Sequence, residues 1–133
     1  MILSYASLSF STLFSIAIGG ALGAMSRYAI ACWFVTRGDS VYPYATLAAN
    51  AIGAFCIGLI YVLIQEKWIV AESLRPLLMT GFLGALTTFS TFSLETLLLL
   101  EQAEYAVAIT YAISSVLVCL GLCWLGASLA RAF

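Results

Sequence analysis

The residues with the greatest chemical capacity lie close together. In GFLGALTTFSTFSLET, residues Gly81 to Thr96, five hydroxyls (Thr87, Thr88, Ser90, Thr91 and Ser93) fall within seven positions and alternate with Phe89 and Phe92. A hydroxyl both donates and accepts hydrogen bonds, and a phenyl ring carries a partly positive edge. Together they can replace part of the hydration of a small anion without a full positive charge. Moderate affinity of that kind suits passage better than tight binding. The same stretch also bears on the backbone. Gly81-x-x-Gly84 precedes it, and glycine with clustered alcohols weakens regular helix, so a break is expected here.

Other polar residues stand apart from that stretch. Asn50, in TLAANAIGAFCIG, has an amide that donates and accepts, and Thr46 lies one turn earlier on the same face. An interhelical hydrogen bond and a lined path both fit this pair. Tyr111, Ser115 and Cys119 recur every four residues and so form one line along a helix, flanked by Ser114. Arg27, in GGALGAMSRYAI, reads as a snorkelling side chain, a fixed positive charge at the mouth of an anion route, or a donor to backbone carbonyls. Glu95 follows Phe92 by one turn, near the end of its apolar stretch. It suits capping a vestibule or pairing with Arg27.

The elements that must position these groups are set by composition. Of 133 residues, 64% are hydrophobic and 8% charged, with a mean hydropathy of +1.11. These values exclude an ordinary soluble domain and indicate an integral membrane protein. Crossing a bilayer as a helix takes about 20 apolar residues. Four stretches suffice: 9–34, 44–64, 77–100 and 105–130. They make one all-α membrane domain over residues 1–133, with the break inside the third span. Broken backbone at membrane depth is tolerated only where it is buried in protein or lines a cavity, and its freed carbonyls can coordinate a cation.

The connections are short. Residues 37–43 carry turn chemistry, residues 65–76 hold Glu66, Lys67, Glu72 and Arg75, and residues 101–104 form an acidic link. The N-terminus lacks a basic leader region, and its apolar segment is too long for a signal core, so it reads as a retained helix. Lys67, Arg75 and Arg131 fall on one side of the membrane, against Arg37 and Arg27 on the other. The bias is weak enough for insertion in both orientations.

Small residues recur at helix-packing spacing: Gly19 with Gly23, Ala49 with Gly53, Ala54 with Gly58, and Gly121 and Gly126 in the fourth span. The spacing serves internal packing and self-association equally. Four thin helices leave little interior for a water-filled route, so a transport path calls for a second copy, and a homodimer is expected. The four cysteines lie within spans and there is no histidine. Packing thiols fit them better than a soft-metal site. Without histidine, paired carboxylates or a cofactor fingerprint, the chain does not read as an enzyme.

GALGAMSRY, TLAANAIGAFCIG and above all GFLGALTTFSTFSLET resemble the small bacterial fluoride channels, the Fluc or CrcB family, over nearly the whole chain. The resemblance implies an antiparallel, dual-topology homodimer in the bacterial inner membrane, surrounded by lipid and with no nucleic-acid partner. Such a dimer passively exports fluoride that has entered as neutral HF, through two pathways, with a structural sodium ion at its centre. Carried over by motif, Gly84 and Thr87 are the backbone-carbonyl sodium ligands and Phe89 and Phe92 the ring pair of the fluoride route. Asn50 is its amide, Tyr111 and Ser115 its polar track, and Arg27 its basic position. Thr91, among the interleaved alcohols, joins the candidate anion pathway. Cys119 departs from the pattern, because a hydroxyl often continues the track there.

Two other readings remain at this point. A small four-helix multidrug antiporter needs a membrane-embedded acid, and the first two spans have none. A non-transport assembly subunit accounts for the glycines but gives the alcohol and phenylalanine cluster no purpose.

Overall fold

The structure, a computed structural model, describes residues 9–38 and 41–133. Residues 1–8 of the N-terminus read as retained, and positions 39 and 40 of the expected turn, lie outside the described residues. Among the described residues every regular element is helical. In hydrocarbon, a spanning backbone must satisfy its own polar groups, and a helix does so within one segment.

α1 spans Phe10–Val35 and α2 spans Tyr44–Gln65. The third span, Glu72–Glu101, is composite. It opens with a 3₁₀ turn, Glu72–Leu74, and continues as a π-helix, Pro76–Leu83, and then as a single turn, α3, Gly84–Leu86. After two extended residues it resumes as α4, Phe89–Glu101. α5 covers Tyr105–Ala132. Among the described residues four helices are therefore long and apolar enough to cross a membrane. The third begins earlier than its hydropathy implied, and Glu72 and Arg75 pair with each other in its first turn at 3.0 Å.

The break divides the packing. The π-helix and α3 lie against α1, whereas α4 lies against α5, and α2 and α5 form the other main contact. Close backbone approach makes these contacts possible. A Cβ on Gly23 would run into the Phe82 carbonyl oxygen, and one on Gly81 would sit 2.8 Å from that of Ile16. Likewise a Cβ on Gly58 would collide with the Cys123 carbonyl, and one on Gly126 with that of Phe55. These small residues therefore serve internal packing. Gly121, by contrast, faces open space. Tyr111, Ile64, Leu83 and Val62 are the largest fully buried side chains. Around Tyr111, Leu99 and Ala108 form a small core joined by Tyr42, Leu47, Phe92 and Val107.

The ends of α2 and α5 are tied by charge. The Arg131 guanidinium donates to both Glu66 oxygens, at 2.9 and 2.7 Å, and holds that carboxyl below the ordinary carboxylate range. Lys67 Nζ adds a bond to the Arg131 carbonyl at 3.2 Å.

Gly58→Val is expected to destabilise the protein by about 1–3 kcal/mol through overpacking. Gly121→Ala should be neutral or stabilising by up to about 1 kcal/mol, because alanine is the better helix former. Denaturant titration in detergent micelles distinguishes the two.

Candidate functional site

Helix continuity fails at Thr87 and Thr88, whose backbones are extended (φ/ψ of −84/154° and −152/124°). In an unbroken helix the Thr88 N–H would donate to the Gly84 carbonyl. Here it donates to Asn50 Oδ1 at 2.7 Å, while Asn50 Nδ2 donates back to the Thr88 carbonyl at 3.0 Å. One amide thus satisfies both backbone groups of the same residue. The Thr91 N–H, which would have served the Thr87 carbonyl, donates instead to Thr88 Oγ1 at 3.2 Å and caps α4. Thr88 Oγ1 in turn donates to Thr91 Oγ1 at 3.0 Å. The carbonyls of Gly84 and Thr87 are therefore without their helical donors.

α2 is shaped to receive this break. Gly53 lies one turn beyond Asn50, and a Cβ there would overlap the Thr87 methyl. Thr87 Oγ1 bonds back to the Leu83 carbonyl at 2.9 Å. The two half-helices then present opposite ends to one place. The first ends in carbonyls that lack their helical donors and carries partial negative charge, whereas α4 begins there with N–H groups and partial positive charge.

Beside the break lies an open cavity of about 430 Å³, lined by residues of α2, α4 and α5 together with Thr87 and Thr88. It brings Asn50, Thr87, Phe89, Phe92 and Ser115 together. Phe89 is 78% exposed. Its ring stands 5.4 Å from that of Phe92, which lies 5.2 Å from Tyr111. Tyr111 meets Tyr42 edge-on at 5.5 Å, so the rings continue away from the break. The expected Tyr111, Ser115, Cys119 line is present on α5, and Ser115 and Cys119 both line the cavity. Ser114 is occupied elsewhere, hydrogen-bonded to Tyr42 and to the Tyr111 carbonyl.

A matching residue pattern accompanies this geometry. The family described as CrcB-like protein, Camphor Resistance (CrcB), matches residues 14–127. The chain belongs to the CrcB family. Its relatives include three proteins named "Fluoride-specific ion channel FluC". That of Geobacter metallireducens is 49% identical over 90% of this chain and 97% of its own. The Geotalea daltonii protein is 48% identical over 90% and 97%, and that of Geotalea uraniireducens 46% over 91% and 98%. The CrcB match spans all four helices and the break.

Within this CrcB chain, some expected residues stand away from the cavity. Arg27 is half-buried on α1 and makes no ion pair among the described residues. Gly84 is exposed and is not among the residues that line the cavity. Glu95 does not reach Arg27. Its two oxygens accept from Thr46 Oγ1 and Tyr111 Oη, each at 2.7 Å, so it is tied to α2 and α5. The Thr46–Asn50 face thus has two uses, one holding Glu95 and the other holding the break. The capping role of Thr88 went unrecognised in the sequence. A hydroxyl residue three positions before Thr91 is the pattern that marks it.

Asn50→Ala strands the part-buried Thr88 N–H and carbonyl, and a loss of about 1–3 kcal/mol of stability is expected. Ser93→Ala removes only a bond back to the Phe89 carbonyl and should cost less than about 0.5 kcal/mol. Denaturant midpoints of the two variants in matched micelles test the contrast.

Proposed function

We propose that this chain is a fluoride-selective channel that passively exports fluoride from the cytoplasm across the bacterial inner membrane, working as an antiparallel, dual-topology homodimer. The carrying observation is the cavity at the helix break. Aromatic edges from Phe89 and Phe92, the alcohols of the break and the start of α4 converge there, beside a backbone that Asn50 holds open. The names of the relatives add the ion.

A small anion gives up strongly bound water only where donors replace it. Ring edges supply partial positive charge without a counter-ion that would trap the anion, and the N-terminus of α4 adds its dipole. On α5 Ser115 continues the polar lining of the route, while the buried Tyr111 hydroxyl is committed to Glu95, and Thr91 supports the route by fixing the cap. Arg27 supplies positive charge nearer the membrane surface. Passive flow of this kind would follow the fluoride gradient. Fluoride trapped by dissociation of HF in a less acidic cytoplasm would leave this way.

A second copy suits the single chain's open features. The exposed Phe89 ring and the open side of the cavity would gain a wall, and the Gly84 and Thr87 carbonyls, which lack their helical donors, would gain company. Two such carbonyls from each copy offer a compact all-oxygen set fitted to a hard cation, the sodium ion of our reading. When bound it would neutralise the negative ends of two half-helices. The chain's own contribution is to hold those carbonyls away from helical donors through Asn50 and Thr88.

Liposomes containing the purified protein should release fluoride far faster than chloride; equal release, or none, overturns the reading. Phe92→Ile should lower fluoride efflux while the dimer survives on size-exclusion chromatography, and unchanged efflux would remove the rings from the route. For the cation, the melting temperature should rise as sodium is titrated into protein kept in choline, and a flat response would remove sodium.

A further inference from the structure

Tyr42 lies in the connection between α1 and α2 and is not among the residues that line the cavity. Its ring is nevertheless fixed from several directions. Pro43, the next residue, has φ/ψ of −77/66°, and the Tyr44 N–H donates to the Tyr42 carbonyl at 2.8 Å. These are the marks of an inverse γ-turn, with a proline at its centre that holds φ in advance. The turn brings the Tyr44 ring to 4.6 Å from that of Tyr42, and Tyr44 stacks at 6.5 Å on Phe34 of α1. On the other side the Tyr42 hydroxyl is hydrogen-bonded to Ser114 of α5. Ser114 gives its own proton to the Tyr111 carbonyl at 3.2 Å, so Tyr42 is the donor between the two.

The ring held in this way reaches the cavity through one intermediary. It meets Tyr111 edge-on at 5.5 Å, and the Tyr111 ring lies 5.2 Å from that of Phe92. Tyr111 is fully buried, and its hydroxyl is bound to Glu95. A close-packed buried ring of this kind passes a displacement on rather than absorbing it. Phe92 is half-buried and lines the cavity, where its ring neighbour Phe89 is itself exposed. The firm side of Phe92 is therefore the side of Tyr111 and Tyr42.

We propose that Tyr42 is a positioning residue for the anion route, holding the Phe92 ring at the cavity wall through Tyr111. A ring attracts an anion along its edge and repels it over its face, so the orientation of Phe92 decides what it offers. Without the Tyr42 ring, Tyr111 loses its edge-on neighbour and Phe92 turns more freely. The affinity of the wall for a passing anion then falls with the share of time for which the edge faces it. The effect on transport rests on the channel reading above, whereas control of the Phe92 ring does not.

Two measurements on the full chain test this: fluoride efflux from liposomes, and fluorine NMR in micelles of protein carrying 4-fluorophenylalanine, with each signal assigned by the variant that lacks it. Tyr42→Leu should lower efflux by about three- to tenfold, the range open to one lost aromatic pair. Tyr42→Phe keeps the pair and should stay within about twofold of wild type. In a Phe92→Ile background the leucine substitution should change nothing further, because the ring it positions is gone. The Phe92 signal should move or sharpen in Tyr42→Leu and hold its place in Tyr42→Phe, with the signal of the exposed Phe133 unmoved in both. Should the leucine variant fail to fold, Tyr42→Met takes its place. Unchanged efflux in Tyr42→Leu, an equal fractional drop in both backgrounds, or an unaltered Phe92 signal would each overturn the inference. Absence of fluoride efflux from wild type overturns the channel reading instead, and the Phe92 signal then decides the positioning role alone.

Discussion

The pair of hydrogen bonds between the Asn50 amide and the Thr88 backbone is the constraint on which the rest of the site depends. A helix broken in hydrocarbon exposes backbone donors and acceptors that water cannot reach, and each left bare costs several kcal/mol. Asn50 removes that cost for the residue at the break, with one oxygen and one nitrogen at hydrogen-bonding distance. No aliphatic side chain can do this. Among common side chains only a carboxamide offers both a donor and an acceptor in that geometry. The break is therefore held by α2, a different helix, and its position is fixed by how α2 packs.

That packing is secured in turn by residues with no polar function. Gly53 clears space for Thr87, and Gly58 and Gly126 let α2 and α5 approach until backbone meets backbone. α5 then carries Tyr111 to Glu95 and Phe92, while Thr46 on α2 reaches the same carboxylate. Glu95 thus bridges α2, α4 and α5 just beyond the break. Its two donors compensate a charge that would otherwise be costly among apolar helices. Glycine contacts, the carboxylate bridge and the amide clamp form one mechanical unit, and the first half of the third span is held separately by α1.

Hydropathy made the four spans legible, because length and apolarity alone decide whether a helix can cross a bilayer. The break was legible too, since two glycines and five alcohols contradict the pattern of a continuous span. The partners of the polar residues were not. Asn50 and Thr88 are 38 positions apart, and Thr46 and Glu95 are 49 apart. Periodicity reports which face a residue occupies but not which helix meets that face. The same limit left the glycine spacings ambiguous between internal packing and self-association. The π-helical winding of Pro76–Leu83 leaves no compositional trace, because its apolar residues would read identically in an α-helix.

The distribution of satisfied and unsatisfied groups also bears on how many copies make the site. Asn50, Thr88, Thr91, Glu95 and Tyr111 all have partners within the single chain, so the framework is complete in one copy. The Ser115 hydroxyl, buried without a partner among the described residues, and the exposed Phe89 ring both line the cavity to which the proposed function gives work. A buried hydroxyl without a partner costs about 1–3 kcal/mol, and a chain of this size has little stability to spare. Such a cost is tolerable where a passing ion relieves it, and the Ser115 hydroxyl lies on the wall of the cavity beside the break, where the proposed route runs.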